Sequence, residues 1–289
     1  MKFCLLLAAL LTTATLAQGQ RIRGCSGGNG AYQQQFDGRY TAQIGPASDA
    51  TDQCHGVIAS SDGKAVFETS GPEVVLNPIS GMDVNQDGKP DAVIEVHPGT
   101  GKCCFNYYIV TLGDQPGLLR QFQTSVPLNF EDKMGDGKVE IWTRDFAFDG
   151  VDGFPHSESP LPLIFFRLHG NTLNDVSPVF WTDYEAEIND AKSGLSKSDI
   201  DDLTKVEGDN AKPPDDEKAA RLQAARALVL TIALDYLYGG HGADAWKTIQ
   251  DDWPPLDHQR IRQLILAQRM RGILGEINRQ PKTTVASSE

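Results

Sequence analysis

The sequence lacks the signatures by which most enzymes announce themselves. It holds no G-x-S-x-G elbow, no H-E-x-x-H pair, no G-x-x-x-x-G-K-[ST] loop and no Rossmann glycine pattern. Their absence removes the motif-based routes to a serine hydrolase, a zinc protease, a phosphate-loop enzyme or a dinucleotide-dependent enzyme. Positive charge is also scarce, with 26 Lys and Arg against 39 Asp and Glu. A surface of that sign repels nucleic acid and anionic lipid, so neither is an expected partner, while it suits divalent cations. Beyond the N-terminus no uncharged apolar run approaches the roughly 20 residues of a membrane-spanning helix, so no membrane insertion is expected. The six histidines are dispersed, and convergence of His55, His97, His156 and His169 is not visible from spacing.

What is present begins with a leader. The opening MKFCLLLAALLTTATLA has an early lysine, an apolar run and small residues at Thr15 and Ala17. This layout predicts a secretory signal peptide cleaved after about Ala17, and a secreted or periplasmic protein. Four of the five cysteines then remain: Cys25, Cys54, Cys103 and Cys104. In an oxidising compartment an even count predicts two disulfides. Adjacent Cα atoms lie only about 3.8 Å apart across a trans peptide, short of the usual disulfide span. In a strand over 103–112, side chains 103 and 104 would also point to opposite faces. The expectation is therefore that Cys25 and Cys54 pair crosswise with Cys103 and Cys104, in either order. The alternative is a metal site built from Cys54, His55, Cys103, Cys104 and His97, although the paired C-x-x-C spacing of zinc sites is absent.

Two halves differ in periodicity. Short alternating or apolar runs at 40–44, 56–59, 65–68, 73–76, 92–96, 107–112, 139–143 and 163–168 are separated by Gly, Pro, Asn and Asp clusters. They predict antiparallel strands, with Ser61-Asp62-Gly63-Lys64 as a hairpin turn. Residues 183–217 then carry twelve acidic and four basic residues, and with their prolines they read as a partly helical connector. Beyond Pro214, Leu222, Ala225, Val229, Ile232, Ala233 and Tyr236 repeat at helical spacing up to a stop at Gly239-Gly240. Further helices are predicted over 243–252 and, capped by Asp257, through Ile277. The fold class expected is α+β: a mainly antiparallel β domain followed by a small helical bundle. The divisions are a leader over 1–17, a flexible segment over 18–38, a β-repeat domain over 39–182, an acidic connector over 183–214, a helical domain over 215–279 and a disordered tail over 280–289.

The strongest chemical signal is Asp83-Val84-Asn85-Gln86-Asp87-Gly88-Lys89-Pro90-Asp91. Asp83, Asn85, Asp87 and Asp91 stand at loop positions 1, 3, 5 and 9, Gly88 permits the reversal, and the Lys89 carbonyl is the natural backbone ligand. Calcium is a hard cation that takes six to eight oxygens from such groups. An EF-hand would need a glutamate at position 12 and a following helix; here Ile94 stands there and a strand follows. An echo lies 49 residues on, where Asp132, Asp136, Gly137 and Glu140 match Asp83, Asp87, Gly88 and Asp91. Met134 replaces Asn85, so the second site is expected to be weaker or empty. At these residues the chain resembles the calcium-loop repeats of FG-GAP and VCBS type. That resemblance implies Ca2+ held by Asp83, Asn85, Asp87 and Asp91, over two repeat units. No Phe-Gly…Gly-Ala-Pro segment is present, and seven units at this period need more residues than the chain has. A complete seven-bladed propeller is therefore not expected; a β domain with two or three repeat-like units is what fits.

Two functions fit. One is a secreted calcium-stabilised binding or adhesion-type module for a protein or carbohydrate ligand. The other is a secreted hydrolase, for instance a carbohydrate-active one, with an unfamiliar site. Phe105, Tyr107, Tyr108, Trp142, Phe146, Phe148 and Phe154 either form a binding face or pack a core. Clustered polar groups of mixed type in one pocket would favour the hydrolase; metal loops beside an open surface would favour the binding module.

Overall fold

The computed structural model describes residues 23–48, 53–99, 103–205 and 215–279. The leader, the tail over 280–289 and the end of the acidic connector lie outside the described residues.

The described residues form three antiparallel sheets. The first is the meander β2 (Tyr32–Phe36), β3 (Tyr40–Pro46), β4 (Cys54–Ser60) and β5 (Ala65–Gly71). The second is the meander β6 (Glu73–Leu76), β7 (Asp91–His97), β8 (Phe105–Thr111) and β9 (Gly117–Thr124), extended at its edge by β1 (Gly24–Ser26). The third comprises β10 (Asn129–Glu131), β11 (Glu140–Arg144), β12 (Leu163–His169) and β13 (Thr172–Asp175). Strands β1 and β2 occupy part of the segment over 18–38 that the sequence reads as flexible. The glutamine-rich β2 gives little apolar alternation, yet it is paired along its whole length with β3 through the Asp37-Gly38 turn, both residues left-handed.

The middle sheet is buried on both faces. Alternation along β7 turns Ala92, Ile94 and Val96 toward a core shared with Ala42, Ile44 and Ile58 of the first sheet. Val93 points the other way, into a second core with Tyr107, Ile109, Phe122, Ile141 and Phe166. That second core continues without a break into the helices through Tyr184, Val229, Leu234, Trp253 and Ile265. The β layers and the helical region are therefore joined through shared packing.

The cysteines pair differently from the crosswise expectation. Cys25 on β1 is bonded to Cys54 at the start of β4, with Cα atoms 5.7 Å apart, which ties the middle sheet to the first. Cys103 is bonded to its neighbour Cys104 across a cis peptide bond. The expectation failed because β8 starts at Phe105, after both cysteines, so strand alternation never directs their side chains apart. Both sulfurs lie beside Ser125 Oγ, at 3.5 and 3.8 Å. With all four sulfurs bonded, the alternative metal site has no thiolates to offer.

The helical part has six α-helices among the described residues: α1 (Trp181–Ser193), α2 (Lys197–Thr204), α3 (Asp216–Tyr238), α4 (Gly242–Asp252), α5 (His258–Arg269) and α6 (Ile273–Arg279). The acidic connector is thus largely helical up to Thr204. Ser196 and Asp199 form a capping box on α2, and Arg221 of α3 pairs with both Asp199 and Asp202. Asp215 caps α3 by accepting from the Lys218 N–H at 2.9 Å. Asp257 does not cap α5 as predicted, because its carboxylate is taken by Trp253 Nε1 at 2.9 Å and by Arg260. The helix predicted to run through Ile277 breaks at Gly272, which lies against the buried carboxylate of Asp145 where a Cβ would collide. Asp145 accepts from Tyr238 Oη at 2.7 Å, so it joins the third sheet to α3 as well.

Candidate functional site

Both acidic loops occupy the same place in their sheets. The 83–91 loop joins β6 to β7 and the 132–140 loop joins β10 to β11, in each case the first strand of a meander to the second. Their backbones follow the same path. Gln86 and Gly135, at loop position 4, are both left-handed, as are Gly88 and Gly137 at position 6. Only glycine takes that conformation without cost, and the non-glycine Gln86 is held in it by an Nε2 donation to the Leu168 carbonyl at 2.9 Å. Gly170 N–H also donates to Asn85 O at 2.7 Å, seating the first loop on the β12–β13 turn.

The side chains of the first loop organise their own backbone. Asp83 accepts from Asp87 N–H at 3.0 Å and Gly88 N–H at 2.8 Å, and Asp87 accepts from Lys89 N–H at 2.8 Å. Asn85 Oδ1 accepts from Asp87 N–H at 3.0 Å. Asp91 has no exposed surface, and its Oδ2 accepts from the N–H groups of Val84 and Asn85 at 2.8 and 3.0 Å. Its other oxygen, Oδ1, is buried with no hydrogen-bond partner among the described residues. Burial pushes the Asp91 pKa up to about 7, against the two N–H donors, and the carboxylates of Asp87 and Asp83 add to the rise. An unpaired carboxylate oxygen without solvent contact is costly unless a counter-charge is supplied. A divalent cation held by Asp83, Asn85, Asp87 and Asp91 would supply that charge, and oxygen donors of this kind are those a hard cation takes. In the present arrangement the carboxylates face their own amides, and among the described residues no group of three or more His, Cys, Asp or Glu side chains already converges on one point.

The second loop repeats four of these hydrogen bonds; the three made within the first loop by Asn85 have no counterpart among the described residues, where Met134 stands. Asp132 accepts from Asp136 N–H at 3.0 Å and Gly137 N–H at 2.9 Å, Asp136 from Lys138 N–H at 3.1 Å, and Glu140 Oε2 from Lys133 N–H at 2.8 Å. A second difference comes from the third strand of its sheet. Arg167 of β12 places its guanidinium among the acidic side chains, donating to Glu140 Oε1 and to both oxygens of Asp136, the latter at 3.2 and 3.1 Å. Sequence reasoning missed this residue, because Arg167 lies 27 positions from Glu140 in an apolar strand.

A separate cleft of about 430 Å³ opens where the second and third sheets meet. Phe105, Tyr107, Phe130 and Trp142 line it together with Asn77, Glu95, His97 and Glu131. The ring of His97 stands edge-on to Phe105 at 5.3 Å, and Tyr107 packs on Phe130 at 5.8 Å. His97 lies between two glutamates, with Nε2 2.7 Å from Glu95 and Nδ1 3.3 Å from Glu73. The hydrogen bond that Glu95 accepts holds the His97 pKa above its ordinary value, against partial burial. Both ring nitrogens of His97 thus face carboxylates. Of the aromatic residues singled out in the sequence, Phe148 and Phe154 are core, whereas Phe105 and Trp142 reach the cleft. The histidines do not converge: His55 pairs with Glu68 and His156 with Asp149, apart from His97. Compared with protein-family models, curated proteins and solved structures, the chain matches none of them.

Proposed function

We propose that this is an exported, calcium-stabilised binding module of FG-GAP/VCBS-like repeat type, in which Ca2+ at the 83–91 loop is structural and the cleft takes the ligand. The observation that carries the calcium reading is the buried, unpaired Oδ1 of Asp91. It gives the loop a charge deficit that its own amides leave uncorrected. Seated on the β12–β13 turn through Gln86 and Asn85, a calcium-filled loop braces the second sheet against the third, and these two sheets also supply the walls of the cleft.

The mixed polar cluster of Glu95, His97, Glu131 and Asn77 is what the hydrolase alternative would need; the binding reading rests on the acidic loops and on the aromatic faces of the cleft. The cleft's histidine is paired on both sides by carboxylates, and aromatic faces alternate with fixed acceptors and donors. That mixture suits a neutral carbohydrate, whose C–H faces stack on rings while its hydroxyls meet Glu95, Glu131 and Asn77. The experiment is a thermal melt in calcium and in EDTA, on the parent chain and on Asp87→Ala. At a calcium concentration about 100 times Kd, linkage adds about 2.7 kcal/mol, a rise of roughly 5–10 °C for a chain of this size. Equal melting temperatures in calcium and EDTA for the parent chain would refute the calcium reading.

A further inference from the structure

We infer that Arg167 is a built-in cation that takes the metal's place in the second loop, so that the residue facing the last loop carboxylate from the neighbouring strand decides whether a loop of this fold binds calcium. The inference rests on the calcium reading of the first loop for its comparison, and on strand register for its substance.

In the middle sheet, Asp91 opens β7 and is paired in register with Thr111 on β8. In the third sheet, Ile141 pairs with Phe166, so the next pair outward is Glu140 with Arg167. Thr111 and Arg167 therefore hold the same station: third strand of the meander, directly across from the carboxylate at loop position 9. Their contacts agree with this. Thr111 Oγ1 lies 3.5 Å from Asp87 Oδ2, and Arg167 reaches the equivalent Asp136. One side chain is short and neutral; the other is long and always charged.

The two position-9 carboxylates show the consequence. Each uses one oxygen to accept a loop amide, from Val84 and Asn85 in one case and from Lys133 in the other. The remaining oxygen of Asp91 is orphaned, while that of Glu140 is bound by Arg167. Glu140 is as fully buried as Asp91, so its charge needs a partner as much. The guanidinium is largely buried too and spans from Glu140 to Asp136 with donors in a fixed fork. Met134 completes the exchange. It stands where the first loop has Asn85, and its sulfur lies 3.4 Å from Arg167 Nη2. The position that has lost its ligand oxygen is thus the one lying against the guanidinium. The two changes act as one substitution: a positive side chain in, a metal ligand out.

The test is to count calcium equivalents by isothermal titration with CaCl2 after chelation, comparing the parent chain with Arg167→Thr/Met134→Asn, which recreates the first loop's chemistry in the second. The double variant is expected to bind one equivalent more than the parent and to gain calcium-dependent melting. An unchanged count in a variant with native circular dichroism overturns the inference. The difference between the two proteins tests this inference, whereas the parent's own count tests the reading of the first loop. Arg167→Lys, which keeps the charge, is expected to add no equivalent; an added one would contradict the role given to the charge. Thr111→Arg is the converse and guards against a double variant that fails to fold. It should remove one equivalent from the parent's count and make melting insensitive to EDTA, and retention of that equivalent would equally overturn the inference.

Discussion

Replacing Asp235 by asparagine should make the protein more stable, and increasingly so as the pH rises. Asp235 lies in the middle of α3, is 1 % exposed, and its Oδ2 has no hydrogen-bond partner among the described residues. Burial, with Glu187 adding and Arg144 opposing, pushes its pKa up to about 8 from an ordinary 3.8. The native chain therefore keeps a proton that the unfolded chain gives up. Because the folded pKa is the higher one, the associated stability is full below the unfolded pKa of 3.8 and is lost as pH rises toward about 8. Each pH unit in that window removes about 1.4 kcal/mol, so between about pH 5 and about pH 7 the loss is roughly 2–3 kcal/mol. That is a large part of the stability of an ordinary domain, about 5–15 kcal/mol. Asparagine keeps the shape and has no such proton to lose. Urea unfolding of the parent and Asp235→Asn at these two pH values, in a fixed excess of calcium, isolates the effect, since all other titrating groups cancel in the difference. The gap in favour of the variant should widen by that amount. A gap of the same size at both pH values would refute the reasoning.

Three further outcomes follow from the packing. Opening the Cys25–Cys54 bond, whose cysteines lie 29 residues apart, by replacing both with alanine should cost about 3–4 kcal/mol of unfolding free energy, measured in urea. Gly272→Ala would drive a methyl group into the Asp145 carboxylate and should lower stability by about 1–3 kcal/mol, whereas Gly150→Ala, where nothing lies within 4 Å, tests backbone strain alone. Soluble neutral oligosaccharides should change the fluorescence contributed by Trp142 at the cleft, and Trp142→Phe should abolish that component; no change with any of them would count against a carbohydrate ligand.

The sequence showed the parts of the fold whose signals are local. The runs at 73–76, 92–96 and 163–168 fall within β6, β7 and β12, because apolar alternation and turn residues bound them on both sides. The helical spacing of Ala225, Val229, Ile232 and Ala233 marked the buried face of α3. Strands at the margins escaped: β9 carries Arg120, Gln121 and Gln123, and β13 is four residues long, so neither shows an alternating apolar signature. The acidic connector reads as partly helical, and α1 and α2 lie there, but its charge excess, offset in part by Arg221 and Lys218 of α3, left their bounds unread. Of the candidate site, the loops were legible because their acidic side chains lie close together in sequence. The cleft was not, since Glu95, His97, Phe130 and Trp142 come from three strands that only folding brings together. Nor was Arg167, whose meaning depends entirely on register with Glu140.

The central claim, that the 83–91 loop holds calcium through Asp91, is tested most directly by titrating the chelator-treated chain with CaCl2 and repeating the titration on Asp91→Asn. The account predicts saturable binding by the parent chain and its loss in the variant, which removes the buried unpaired charge while leaving the shape of the side chain. Absence of binding by the parent, or undiminished binding by Asp91→Asn, would contradict it.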